Sequence, residues 1–227
     1  MVDLVLITED KNDVYFIRDF LIKSYCSDKE YSCKKIKEKE YILEFKVEQI
    51  IKRILIRDTN KESDHSVSAG WTKLEGLLNS DFFIKSVRNN KEVKFVILFD
   101  ADEDKPFNIA KKNVDIDNWL KGKDFQIDRF YLPFNNENSH NLEQLLELSF
   151  KQEINDCWEG FTNCLVNEKN LNAVVPTSKK GKIITYKDIY SPLNNNKNEY
   201  LSELWNLDVN TNEHLKPLKE FLDQYLK

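Results

Sequence analysis

Long hydrophobic runs are missing from this chain of 227 residues. None approaches the roughly 20 apolar residues that cross a bilayer, so no membrane span is expected. Glycine and proline are scarce, five of each, and no collagen-like or low-complexity pattern occurs. Histidine appears three times (His65, His140, His214), and the four cysteines (Cys26, Cys33, Cys157, Cys164) form no CxxC pair. A zinc site is therefore not expected. Cys157 and Cys164, seven residues apart, read as reduced, buried thiols on one helix face. A basic leader is missing too: Asp3 stands where a secretory signal would carry positive charge. The first apolar run reads instead as a core strand, and a cytoplasmic location is the expectation. Bulk positive charge is absent, since the net charge is −5. The chain does not coat nucleic acid by overall electrostatics, although "CKKIKEK" (33–39) and "SKKGK" (178–182) are local basic clusters.

What is present is material for a core: 41% of residues are hydrophobic and 12% aromatic. "LVLI" (4–7) reads as a short buried strand. Asn12 is placed to cap a helix over about 13–25, with Val14, Ile17, Leu21 and Tyr25 on its apolar face. "EYILEFKVEQIIKRILI" mixes alternating and helical spacings, and we read a strand near 40–45 running into a helix. A polar loop follows at 59–66, then a strand end at 67–71 and helical material in "KLEGLL" and "DFFIKSVRNN". "KFVILF" (94–99) is the clearest buried strand. A helix over 108–120, a strand over 127–132 stopped by Pro133, and helices over 142–150, 153–166 and 215–226 complete the order. The four tryptophans, Trp71, Trp119, Trp158 and Trp205, suit packing better than base stacking.

This alternation predicts an α/β sandwich with a mainly parallel central sheet flanked by helices. The core would cover 1–150, with an insert at about 29–66, and a mostly helical C-terminal extension over 151–227 would pack on it. Ligands of such sheets gather beyond the carboxyl ends of the strands. Acids stand at that point twice: Glu9 and Asp13 after "LVLI", and Asp100, Asp102 and Asp104 after "KFVILF". Alternate residues of an extended segment point the same way, so Asp100 and Asp102 are expected to converge. Packed carboxylates repel and stay ionised only beside a cation. An all-oxygen set suits a hard ion, Mg²⁺ or Mn²⁺.

"ITEDKND" followed by "ILFDADED" resembles the two signature motifs of the Toprim family. There a glutamate ends the first strand, often with an aspartate four residues on, and a DxD or DxDxD motif ends a later one. Glu9 matches the glutamate, Asp13 the trailing acid, Asp100 and Asp102 the DxD, and Asp104 a possible third acid. Position 10 is Asp where the family commonly has glycine. "GWTKLEGLL", "YLPFNNENSHNLEQLLE", "PTSKKGKIITYK" and "LKPLKEFL" are further similar to blocks in small Toprim-like bacterial proteins of uncharacterised activity, with His140 near a usual glycine. Nucleases of the overcoming-lysogenization-defect class use one more acid to hold a second metal, and Glu143 matches it, paired with Asp13.

The resemblance implies metal-dependent phosphodiester chemistry. A topoisomerase would need strand-moving domains and a primase further polymerising machinery, so a compact nuclease acting on DNA or RNA is the expectation. Asp100 and Asp102 would hold the metal, with Glu9 either sharing it or serving as general base. Asp104 would be an outer ligand. Lys179, Lys180 and Lys182 surround Gly181 in an expected loop, from which Lys182 would reach the scissile phosphate. The alternative is a non-catalytic phosphate- or nucleic-acid-binding module, a partner of an ATPase in a phage-defence system. A basic rim around the acids would favour the nuclease.

Overall fold

The computed structural model describes residues 2–37, 39–59, 70–80, 85, 92–165, 179–190, 200, 201 and 204–227. The loop expected over 60–66 with His65, residues 67–69 of the expected strand end, and the helical stretches 81–84 and 86–90 lie outside the described residues, while Gly70 and Trp71 open a helix rather than end a strand.

Strand β1 (Leu4–Thr8) is buried along its whole length because it is central. It pairs in parallel with β4 (Ile50–Asp58) on one side and β5 (Lys94–Asp100) on the other. Beyond β5 lies parallel β6 (Asp128–Leu132). Beyond β4 lie antiparallel β3 (Glu40–Val47) and then β2 (Tyr31–Lys37). The sheet order is β2-β3-β4-β1-β5-β6, so the chain is α/β with a mixed, centrally parallel sheet. The strand expected near 40–45 is β3, and the helix expected after it is instead strand β4, which closes a hairpin. Tyr41, Leu43 and Phe45 are buried in strict alternation, and Glu48 takes the turn at φ 53°. The helical look of the second half came from Ile54, Leu55 and Ile56, buried together because both faces of β4 are covered.

Helix α1 (Lys11–Tyr25) covers one face of the sheet. Its cap is Asp10 rather than Asn12. The Asp10 carboxylate accepts from the N–H groups of Asn12 (2.6 Å) and Asp13 (3.3 Å), and the Asp10 N–H donates to the Asp13 carboxylate at 3.0 Å. This is a capping box with aspartate in the third position. The helix buries an unbroken run from Asp13 to Leu21, not a stripe. Its outer side is covered by Tyr200, whose ring meets Phe16 edge-on at 5.8 Å. The opposite face of the sheet carries α2 (Trp71–Leu78) and α3 (Ile109–Leu120), which contribute Trp71, Leu74, Leu77 and Ile116 to a second core. Asn108 caps α3 through the Lys111 N–H at 3.2 Å. Asn108→Ala should lower unfolding free energy by about 1 kcal/mol, measured by urea denaturation; no change would mean that the cap contributes nothing there.

Helices α4 (Leu142–Leu148), α5 (Gln152–Asn163), α6 (Lys179–Tyr190) and α7 (Lys216–Leu226) complete the described chain. Leu215, Leu218, Leu222 and Leu226 join the core on the α1 face. Two expectations change here. The Lys179–Lys182 segment is the first turn of α6, not a loop. Cys157 is exposed and Cys164, at the end of α5, is half-buried. Trp71, Trp158 and Trp205 are buried as expected of packing residues.

Candidate functional site

From β1 the chain passes through α1 to the edge strand β2, returns inward through β3 and β4, and then crosses to β5 on the other side of β1. The connecting helices α1 and α2 lie on opposite faces. The gap between the carboxyl ends of β1 and β5 is therefore the switch point of the sheet, where a crevice opens. Glu9 follows β1 and Asp100 ends β5, so the two acid-bearing ends flank that crevice.

A cleft of about 490 Å³ lies beside it, lined by Asp10, Asp13, Asp100 and Glu143 and by Lys105, Lys180 and Lys187, among others. Asp100 is fixed by the Leu142 N–H, which donates to its Oδ1 at 2.8 Å. Burial, then the charge of Glu9, pushes its carboxyl well above the usual aspartate range. Burial does the same to Asp13, helped by Asp10 and Asp100. Glu143, in the first turn of α4, stands 3.8 Å from the Lys180 ammonium.

Asp100 and Asp102 do not converge as an extended segment would make them. The strand ends at Asp100, and Asp102 sits at φ 53°, held by its N–H donating to His140 O at 2.7 Å. Its carboxylate pairs with Lys105 and, at 2.9 Å, with the buried Lys112 of α3. Burial alone would raise the Asp102 carboxyl, but these two ammonium groups outweigh it and hold it below the usual range. Glu9 is raised by burial, which the charge of Lys112 partly opposes. It accepts from the Trp71 N–H, and its Oε2 is buried with no hydrogen-bond partner. Gly70, at φ +135°, brings that N–H into place, a conformation other residues rarely adopt.

Neither Glu9 nor Asp102 is among the residues lining the cleft. Asp104 is exposed and lies 3.5 Å from His140 Nδ1, also away from it. Lys182 bonds Asn155 at 3.0 Å and faces Glu147 and the Phe150 ring rather than the cleft. Among the described residues, no three acids, histidines or cysteines are gathered into a ready metal cluster. The donor chemistry of Asp13, Asp100 and Glu143 nonetheless suits a hard cation: all are oxygen donors on one cleft, and the carboxyls of the two aspartates are raised by burial and by neighbouring acids. Asp102, already paired with two ammonium groups, does not fit.

Three groups were missed in the sequence. Lys112 falls between Ile109 and Ile116 on the apolar stripe of α3, a signal that was available. Lys187 donates to Tyr200 Oη at 2.5 Å and is pushed down to about 8 by burial, against the charges of Glu143 and Asp10. Tyr200 comes from a distant segment and carried no signal. Compared with known family models, curated proteins and solved structures, the chain matches none.

Proposed function

We propose that this chain is a Mg²⁺- or Mn²⁺-dependent phosphodiester hydrolase of Toprim type, a cytoplasmic nuclease acting on DNA or RNA. The observation that carries the reading is one cleft at the carboxyl edge of the parallel strands, with Asp13, Asp100 and Glu143 beside Lys105, Lys180 and Lys187. The lysines are the basic rim that a phosphate-handling site requires.

In this reading Asp13, Asp100 and Glu143 would hold the divalent ion. A bound ion supplies Lewis-acid polarisation of the phosphate and a water of lowered pKa. Lys180 and Lys105 neutralise non-bridging oxygens as the substrate enters. Lys187, whose pKa lies near 8, stands close enough to neutral range to give a proton to the departing oxygen. The Leu142 N–H keeps Asp100 turned into the cleft.

The test is incubation of purified protein with single- and double-stranded DNA and RNA, in Mg²⁺, Mn²⁺ or EDTA. Cleavage in metal and none in EDTA is the expected result; no cleavage of any of the four sinks the reading. Metal should also raise the melting temperature. At an ion concentration about 100 times Kd the gain is about 2.7 kcal/mol, or roughly 5–10 °C for a domain of this size. The pairing of Asp102 with Lys105 and Lys112 favours a second reading, a non-catalytic phosphate- or nucleic-acid-binding module that partners an ATPase. Binding of nucleic acid without cleavage would select it.

A further inference from the structure

We infer that Lys112 is the resident counter-cation of Glu9 and Asp102, a fixed ammonium standing where the motif pattern would put a divalent ion. An added ion is then confined to the outer group Asp13, Asp100 and Glu143. This goes beyond the proposed activity and relies on it only for the outer position.

Lys112 is fully buried, at 0% exposure. An ammonium is a compact, strongly hydrated charge, and burying it is costly unless acceptors replace its water. It has them: Nζ donates to Asp100 O at 2.6 Å and to Asp102 Oδ2 at 2.9 Å. The face of Trp71 lies 5.7 Å from Nζ, within reach of a cation–π contact. Glu9 is near enough to feel the same positive charge, and its N–H donor is the backbone of that same Trp71. Lys105 brings a second ammonium to Asp102. Asp102 thus meets two ammonium groups, Glu9 feels the charge of Lys112 without bonding it, and the inner group carries its own positive charge. A divalent ion placed there would face the charge of Lys112 at close range in a poorly screened interior. Lys112, Glu9 and Asp102 are also absent from the cleft lining, whereas Asp13, Asp100 and Glu143 line it.

The arrangement follows from the sequence pattern of α3. Ile109, Lys112 and Ile116 recur at spacings of three and four, so the helix that buries Ile116 against the sheet must bury Lys112 as well. A lysine on that stripe persists only with partners waiting, and the chain just after β5 provides them.

The experiment compares wild type with Lys112→Met by Mn²⁺ calorimetry and thermal melting. Wild type should bind no more than one Mn²⁺ per chain. Lys112→Met should melt roughly 10 °C lower in metal-free buffer, because half-buried Asp102 loses its buried ammonium partner and Glu9 loses the charge that offsets its burial. It should also bind one Mn²⁺ more than wild type and recover most of the lost melting temperature in millimolar Mn²⁺. If Lys112→Met does not fold alone, the triple variant Lys112→Met/Glu9→Gln/Asp102→Asn decides. Recovery of folding without metal supports the assignment, since the stranded charge is gone; failure to recover overturns it, leaving Lys112 a packing residue. Two Mn²⁺ per wild-type chain, or a Lys112→Met melt and stoichiometry equal to wild type, also overturns it. Should wild type bind none and Lys112→Met bind one, the Lys112 assignment stands and the hydrolase reading falls.

Discussion

Asp100→Asn should cleave nucleic acid about 10³-fold more slowly than wild type while melting at or above the wild-type temperature in metal-free buffer. The two halves of this result have separate causes. Loss of rate is what the proposed ion site predicts, since Asn would remove a charged ligand of an ion that stabilises the transition state. Retention of the fold follows from local geometry. The Asn Oδ1 still accepts the Leu142 N–H that now donates to Asp100 at 2.8 Å. No apolar contact is removed, and repulsion with Glu9 and Glu143 is relieved.

The pH dependence of the same variant follows by sign. Burial holds the Asp100 carboxyl above the ordinary 3.8. A raised acid favours the folded state while protonated, so its contribution is present below 3.8 and fades as pH rises through the folded value. The Asp100 contribution to metal-free stability should fade from about pH 4 upward, so Asp100→Asn should gain on wild type over the same range. Thermal melts across that range check it; parallel curves for the two proteins would show that Asp100 is not strained. Wild-type cleavage rates in the variant would end its role as a ligand.

Asp19→Ala should have the largest effect on stability, roughly 3–5 kcal/mol, or about 10 °C in melting temperature. Asp19 has no exposure. Its carboxylate accepts from Arg18 Nε at 2.6 Å and from the backbone N–H of Tyr200 at 2.6 Å. Alanine would leave a buried guanidinium and a buried amide without this acceptor. Because Tyr200 lines the cleft and accepts from Lys187, that part of the cleft wall would loosen too. Cleavage should fall even at temperatures where the variant is folded, which circular dichroism and rate measured on one sample would show. A variant that melts within about 2 °C of wild type would mean that Asp19 does not hold this segment.

The sequence made some of this legible. An apolar run cut off by an acid marks a strand end, and both Glu9 and Asp100 were found that way because burial of β1 and β5 leaves a continuous apolar pattern. The leucines of α4 and α7 were equally plain. The fate of Asp102 was not legible. Its positive φ is set with the bond to His140 O, some forty residues away, and no local pattern announces it. The start of α6 was read as a loop because Gly181 and three lysines resemble a turn, yet Ile183 and Tyr186 bury one side of that helix. Lys182 then points toward Asn155 and Glu147, while Lys187, one turn further on, takes the place beside the cleft. Strand β3 was legible in its alternation, but β4 was not, because a strand covered on both faces loses the alternation that identifies strands. The cap was assigned to Asn12 on residue type alone, whereas Asp10 has the reciprocal acid at Asp13.

The most direct test of the central claim is a Mn²⁺ titration of metal-stripped protein, with cleavage of end-labelled DNA and RNA followed at each step. The account predicts no cleavage at the start, activity that rises and saturates with one ion per chain, and no activity at any ion concentration in Asp100→Asn. Cleavage by the stripped protein in EDTA, or none by wild type at saturating Mn²⁺ on any of these substrates, would contradict it.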